Sequence, residues 1–197
     1  MSSAPLLVLA STSVYRRELL SRLGLPFTAE SPGVEETELP GESPAERALR
    51  LAVLKARAVA ARHPAAVVIG SDQVASLAEG PAARILHKPG TPARNRDQLA
   101  ALSGRTARFD TAVAVVSPSG IARHVDRTEV RFRELGPADI ARYVEREAAL
   151  DCAGGFKVEG LGPALMESVT TSDPTGLVGL PLIWLCGALR GAGFSLP

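Results

Sequence analysis

Apolar and polar positions fall into short blocks of two kinds along this chain. Residues 6–10 form a continuous apolar run, the pattern of a strand covered on both faces. The run leads into Ser11-Thr12-Ser13, where a helix is expected to start at Ser13 and end at Gly24, a residue suited to the position just past a helix. Residues 27–31 read as a second strand, broken by Pro32-Gly33. Ser43-Pro44-Ala45-Glu46 combines an N-cap serine, a proline at the first helical position and a glutamate at the third. That capping box predicts a helix reaching about Arg62 and stopping before His63-Pro64. Residues 66–69 are apolar and β-branched, a strand ending at Gly70-Ser71-Asp72. Thr91-Pro92 opens a helix that closes near Ser103-Gly104. Residues 106–116 and 121–132 flank Ser117-Pro118-Ser119-Gly120 and predict a hairpin. A helix is expected over 137–147, a glycine-rich stretch over 154–162, a short strand around 164–169 and a last helix over 181–190. Interleaved strands and helices with one hairpin predict an α/β protein with a mixed sheet.

Composition narrows the function classes. With 22 Lys+Arg against 21 Asp+Glu, the net charge of +1 gives no electrostatic reason to bind a nucleic acid polymer or a membrane surface. Aromatic residues at 4% are too few for a stacking stripe. At 197 residues, one domain or two tightly joined lobes is expected. No repeat or linker marks a boundary, so residues 1–197 read as a single domain. Cys152 and Cys186 lie far apart, without zinc spacing, and read as buried thiols in a reducing compartment. The start of the chain lacks a positive signal-type region, and 6–10 is too short for its apolar core. Residues 174–189 are interrupted by Gly176, Gly179, Pro181 and Gly187, short of the ~18–20 apolar residues of a spanning helix. A soluble, cytoplasmic protein is expected.

Several familiar reaction motifs are missing: no G-x-x-x-x-G-K-[ST] loop and no G-x-S-x-G elbow occur, and His63, His87 and His124 have no metal-ligand spacing. Gly160-Leu161-Gly162 starts a G-x-G pattern, but Leu165 stands where its last glycine belongs. The strongest local signal is Ala10-Ser11-Thr12-Ser13-Val14-Tyr15-Arg16-Arg17, between a buried strand and a helix. Two arginines in a first helical turn oppose the macrodipole, at about 0.3–1 kcal/mol per charge. An anion at the helix mouth would account for them, gathered by backbone N–H groups, three hydroxyls and two guanidiniums. Alternatively the arginines are solvated and the serines only cap. Glu35-Glu36, after a Pro-Gly break, and Asp72, just past a strand end, are carboxylates able to hold Mg²⁺ and activate water. Glu35-Glu36 also reads as a solvated loop. Lys55, within Leu51-Ala52-Val53-Leu54-Lys55-Ala56 on a helix apolar nearly all round, either snorkels to solvent or faces a phosphate. Lys88, in His87-Lys88-Pro89, is a surface lysine or a site lysine. Residues 154–160 form a flexible loop or let backbone approach a ligand closely.

Taken together, these segments resemble the Maf family of nucleoside triphosphate pyrophosphatases over nearly the whole chain. The resemblance rests on Leu9-Ala10-Ser11-Thr12-Ser13-x-x-Arg16-Arg17, Val34-Glu35-Glu36-Thr37, Leu51-Ala52-x-x-Lys55-Ala56 and Ile69-Gly70-Ser71-Asp72-Gln73. It continues, in the family's order, through Lys88-Pro89, Leu102-Ser103-Gly104, Asp151-Cys152-Ala153-Gly154-Gly155-Phe156 and Val178-Gly179-Leu180-Pro181. It implies a Maf/ITPase-like twisted mixed β-sheet flanked by helices, with a central nucleotide cleft, and a homodimer. It further implies hydrolysis of a nucleoside triphosphate between the α- and β-phosphates, with a divalent metal cation, Mg²⁺ or Mn²⁺. Carried over by position, Asp72 is the catalytic acceptor, with Glu36, Lys55 and Lys88 as charged partners. Asp72 and Glu36 are then the metal-holding pair, and Ser11, Ser13 and Arg16 the triphosphate contacts.

Within the family, Tyr15, Gln73 and Glu159 are similar to the subgroup acting on 7-methyl-GTP. The subgroup acting on dTTP and UTP tends to carry arginine, threonine and glutamine there. Methylation at N7 makes guanine cationic, and a facing aromatic ring gains about 0.5–2 kcal/mol of cation–π attraction. A carboxylate accepts the N1–H and N2–H of a guanine edge. Tyr15 would be the ring and Glu159 the carboxylate. The other readings are a dTTP/UTP pyrophosphatase with the same pocket, and a non-catalytic nucleotide-binding regulator of septum formation, a process linked to the family. The chain departs from the pattern at Val14, usually proline, at Tyr15, often tryptophan, and at His87, usually glycine. The loop over 79–84 is also longer than usual, which with His87 bears on the placement of Lys88.

Overall fold

The computed structural model describes residues 5–79 and 82–197. Its backbone forms two compact units, each built from separate stretches of chain. The first comprises residues up to Asp72, Thr111–Asp126 and Asp173–Pro197, and the second Gln73–Asp110 and Arg127–Ser172. The strands hydrogen-bond in the order β2-β1-β3-β5-β6-β7, with β4 paired to β3. This is the mixed sheet, flanked by helices, that the alternation of elements predicts.

In the first unit β1 (Leu7–Leu9) lies parallel to both β2 (Thr28–Ala29) and the start of β3 (Val67–Glu79), with Leu9 opposite Ala29 and Ile69. Side chains alternate across a strand, so both faces of β1 need cover. Leu7 and Leu9 pack with Leu19 and Leu20 of α1 (Val14–Ser21) and with Leu185 and Leu189 of α6 (Leu182–Gly191). Val8 and Ala10 pack on the other side with Val59 of α2 (Pro44–Ala60). That double burial is why 7–10 reads as an unbroken apolar run, while Leu6 at its start is exposed. The capping box on α2 forms as expected: Ser43 Oγ accepts from the Glu46 N–H, and the Glu46 carboxylate accepts from the Ser43 N–H at 2.9 Å.

Gly70 shows how tightly β3 presses on α2. A Cβ there would lie 2.2 Å from the Ala52 carbonyl oxygen and 2.6 Å from the Ala56 nitrogen. The glycine serves contact, not a turn, and the strand continues through Gly70-Ser71-Asp72 to Glu79. This corrects the expectation that the strand ends there: Asp72 sits inside β3, buried.

The second unit holds the rest of β3, with β4 (Ala82–Leu86) antiparallel to it, Ala75 opposite Leu86. The expected long loop over 79–84 is therefore in large part a strand pairing, and Gly80 and Pro81 lie outside the described residues. Helices α3 (Pro92–Leu102) and α4 (Pro137–Glu147) start at the predicted prolines. Strands β5 (Thr106–Ser117) and β6 (Gly120–Phe132) form the predicted hairpin, and β7 (Met166–Thr170) runs antiparallel to the end of β6. Phe156 meets Phe109 and Phe132 edge-on, with ring centroids 5.4 and 5.3 Å apart, and fills this unit's interior.

Five expectations shift. The strand over 27–31 shrinks to Thr28–Ala29, α1 closes at Ser21 ahead of Gly24, and α2 closes at Ala60. The helix α5 (Pro174–Val178) was not anticipated, although Asp173-Pro174 is a cap followed by proline at the first helical position. Cys152 and Cys186 are free thiols, but half-buried instead of buried. Among the described residues no helix is long and apolar enough to cross a membrane.

Candidate active site

The first unit assembles the site from the mouth of α1 outward. Ser11, at the end of β1, accepts the Ser13 N–H on its Oγ at 3.1 Å, and Ser13, the N-cap, accepts the Arg16 N–H on its Oγ at 3.4 Å. Both hydroxyls thus satisfy backbone donors and keep their own O–H groups to give. Arg16 turns inward and donates from Nε to the Gly179 carbonyl at 3.0 Å. Ser71, fully buried on β3, donates from Oγ to the same carbonyl at 2.9 Å. Asp173 holds that carbonyl in place, because its carboxylate caps α5 through the Thr175 N–H and α6 through the Ile183 N–H. Withdrawal from water lowers the Arg16 pKa, while the negative charges of Asp72 and Glu36 push it back up. It remains a cation, as arginines do in proteins.

Lys55 reaches β3 from α2 because Gly70 lets the two backbones touch. Its Nζ lies 2.7 Å from Asp72 Oδ1 and 2.6 Å from Glu36 Oε1. The Lys55 and Asp72 side chains are 7% and 10% exposed and that of Glu36 is 52% exposed, so the triad opens to solvent at its Glu36 end. Lys55 therefore does not snorkel to solvent: it ties two carboxylates together. Glu36 is no idle loop residue either.

Arg17 diverges from Arg16. It is exposed and lines a depression of about 390 Å³ with Ser11, Thr12, Phe27, Ala29 and Ser31. Tyr15, in the first turn of α1, is half-buried. Hydrogen bonds thus link Ser11, Ser13 and Arg16 at the mouth of α1, Lys55 ties Asp72 to Glu36, and Arg16 feels the charge of both carboxylates.

The remaining expected residues belong to the second unit. Gln73 follows Asp72 on β3 and is half-buried. Lys88 is exposed between β4 and α3, beside His87, whose carbonyl accepts from Gln98 Nε2 at 3.1 Å. Glu159 is exposed in the turn before the 3-10 segment Gly162–Leu165.

Among the described residues no group of three His, Cys, Asp or Glu side chains could hold a metal ion. The donor chemistry of Asp72 and Glu36 still suits Mg²⁺, which typically takes one or two carboxylates and completes its shell with phosphate oxygens and water. Ser71 and Gly179 were not singled out as site residues. Gly179 did lie in the Val178-Gly179-Leu180-Pro181 string, and its φ of +123° is a backbone state that favours glycine.

The family profile described as Maf-like protein matches residues 6–192. A protein of Xanthomonas oryzae pv. oryzae named 7-methyl-GTP pyrophosphatase is 56% identical over 193 residues, spanning 98% of this chain and 100% of its own length. One of Aromatoleum aromaticum with the same name is 54% identical over 193 residues, spanning 97% of each. Among solved structures, the Staphylococcus aureus Ham1 protein superposes with a TM-score of 0.51 at 15% identity, over 94% of this chain and 98% of that one. At that identity the likeness is one of fold.

Proposed function

The chain belongs to the Maf family, and on that premise we propose that it is a nucleoside triphosphate pyrophosphatase acting on 7-methyl-GTP. Hydrolysis between the α- and β-phosphates would give 7-methyl-GMP and pyrophosphate. The observation that carries the proposal is Lys55 bridging Asp72 and Glu36, with Arg16 in the field of both carboxylates. A triphosphate meets positive charge from Arg16 and from the α1 N-terminus, and O–H donors from Ser11 and Ser13. Asp72 accepts the proton of the attacking water, as a carboxylate base must. Lys55 orients that carboxylate and balances its charge, and Lys88 supplies a further cation for the departing pyrophosphate.

Asp72 and Glu36 are the residues that would hold a divalent cation, Mg²⁺ or Mn²⁺. Such a cation, when bound, neutralises phosphate oxygens. For the base, Glu159 accepts the guanine N1–H and N2–H, Tyr15 offers its ring to the cationic N7-methylated base, and Gln73 completes the polar contacts. The names of the relatives and these three side chains support that specificity. We further infer, from the family likeness, a homodimer in the cytoplasm.

The test is pyrophosphate release from 7-methyl-GTP, GTP, dTTP and UTP in the presence of Mg²⁺. The expected result is fastest release from 7-methyl-GTP. Equal rates on UTP and 7-methyl-GTP would defeat the specificity, and tight binding without product would make the protein a nucleotide-binding regulator instead.

A further inference from the structure

In the second unit, the turn that carries Glu159 is tied down at both ends by one face of α4. Tyr143 and Glu147 are four residues apart and so lie one above the other on the helix. The Tyr143 hydroxyl accepts the N–H of Lys157 at 2.9 Å, and Glu147 Oε2 accepts the N–H of Leu161 at 2.6 Å. Between these ties the Lys157 carbonyl accepts from the N–H groups of Gly160 and Gly162, at 3.3 and 2.8 Å. The turn itself needs glycine at 162, where a Cβ would meet backbone, and at 160 it lies against the Glu147 side chain. A Cβ at position 160 would stand 2.3 Å from Glu147 Oε2, and one at 162 would stand 2.2 Å from the Lys157 carbonyl oxygen. Glu159 is exposed midway between the two tied residues.

Both tying groups occupy positions that need a reason. Glu147 closes α4 at its C-terminal end, where the macrodipole disfavours negative charge. The N–H of Leu161 supplies the compensating partner. Tyr143 is buried, and burial raises its pKa, with the charges of Glu147, Cys152 and Glu159 pushing the same way, so its hydroxyl stays neutral beside that turn.

We propose that Tyr143 and Glu147 are positioning residues for nucleobase selection, holding the backbone of the 157–161 turn so that Glu159 projects from a fixed point. The inference rests on the reading of Glu159 as the acceptor for the guanine edge. A carboxylate on a tethered turn loses less freedom when it binds, so the tether contributes to affinity for the matching base without touching it.

The experiment compares kcat and KM on 7-methyl-GTP and on UTP for the wild type, Glu147→Ala, Glu147→Gln, Tyr143→Phe and Glu159→Ala. Glu147→Ala should raise KM for 7-methyl-GTP about tenfold, the scale of one lost charge-assisted hydrogen bond, with kcat and the UTP parameters little changed. Glu147→Gln keeps an acceptor oxygen for the Leu161 N–H and should restore most of the loss. Tyr143→Phe should fall between them. Combined with Glu159→Ala, the Glu147→Ala change should add no further loss of selectivity. If Glu159→Ala abolishes selectivity while Glu147→Ala leaves it intact, or weakens both nucleotides equally, the positioning role is overturned and the reading of Glu159 stands. A wild type that does not prefer 7-methyl-GTP, or a Glu159→Ala variant as selective as the wild type, overturns the specificity reading and this inference with it.

Discussion

At the scale of single residues, the site is an exercise in charge placement. Withdrawing an ammonium and a carboxylate from water costs several kcal/mol per ion, recovered only if the partners are close and well aligned. Lys55 and Asp72 meet that condition at 2.7 Å, with Glu36 as a second acceptor at 2.6 Å. Asp72→Asn keeps the shape and removes the proposed proton acceptor. It should leave the far-ultraviolet circular dichroism unchanged and lower the rate of pyrophosphate release by at least about two orders of magnitude, the scale of a general base. Tyr143 makes a second prediction, in the alkaline range. Its pKa is raised in the folded chain, chiefly by burial, so above about pH 10 the folded state keeps a proton that the unfolded state gives up. The folded form then binds more protons, and stability must fall as pH rises through that window while remaining complete below it. Urea denaturation at stepped alkaline pH should show this decline in the wild type and a shallower one in Tyr143→Phe.

At the scale of elements, the contact of β3 with α2 decides whether the triad can form. Gly70→Ala would drive a methyl group into the Ala52 carbonyl, which is backbone and cannot swing aside. A loss of stability of about 1–3 kcal/mol is expected from such overpacking, measured by urea denaturation, together with reduced activity as Lys55 is pushed from Asp72. The same glycine shows where reading the chain reaches its limit. Caps and prolines locate α2, α3 and α4 closely, because an N-cap hydroxyl or a proline at the first turn acts within its own few residues. Gly70 carries no such local mark. A glycine that ends a strand and one that a helix lies against are the same letter, and here the strand runs on past Gly70 to Glu79. The pairing of Lys55 with Asp72 was hidden for the same reason, since it depends on that packing and not on spacing. Asp72, Glu36 and Lys55 were each legible as candidates. That one ammonium joins two carboxylates was not.

At the scale of the whole molecule, the chain passes between its units after Asp72, Asp110, Asp126 and Ser172, so neither unit is a continuous segment. The proposed metal use also makes a prediction at this scale. Lys55 and Arg16 already set two positive charges against the two carboxylates, so the fold has no need of a cation to hold them. Chelation should therefore abolish pyrophosphate release while leaving the melting temperature of the nucleotide-free protein unchanged, and added Mg²⁺ or Mn²⁺ should restore the rate. A drop in melting temperature on chelation would show instead that an ion is part of the fold.

The Gly179 carbonyl, shared by Arg16 and Ser71, limits what evolution or an engineer can substitute at position 16. A guanidinium has a nitrogen partway along its side chain as well as two at the tip, so it can be anchored and still reach forward. Lysine carries the same charge on a single terminal atom and must choose between the anchor and the proposed triphosphate contact. Arg16→Lys should thus behave as a cation on a loose hinge: the charge survives, and its aim is lost.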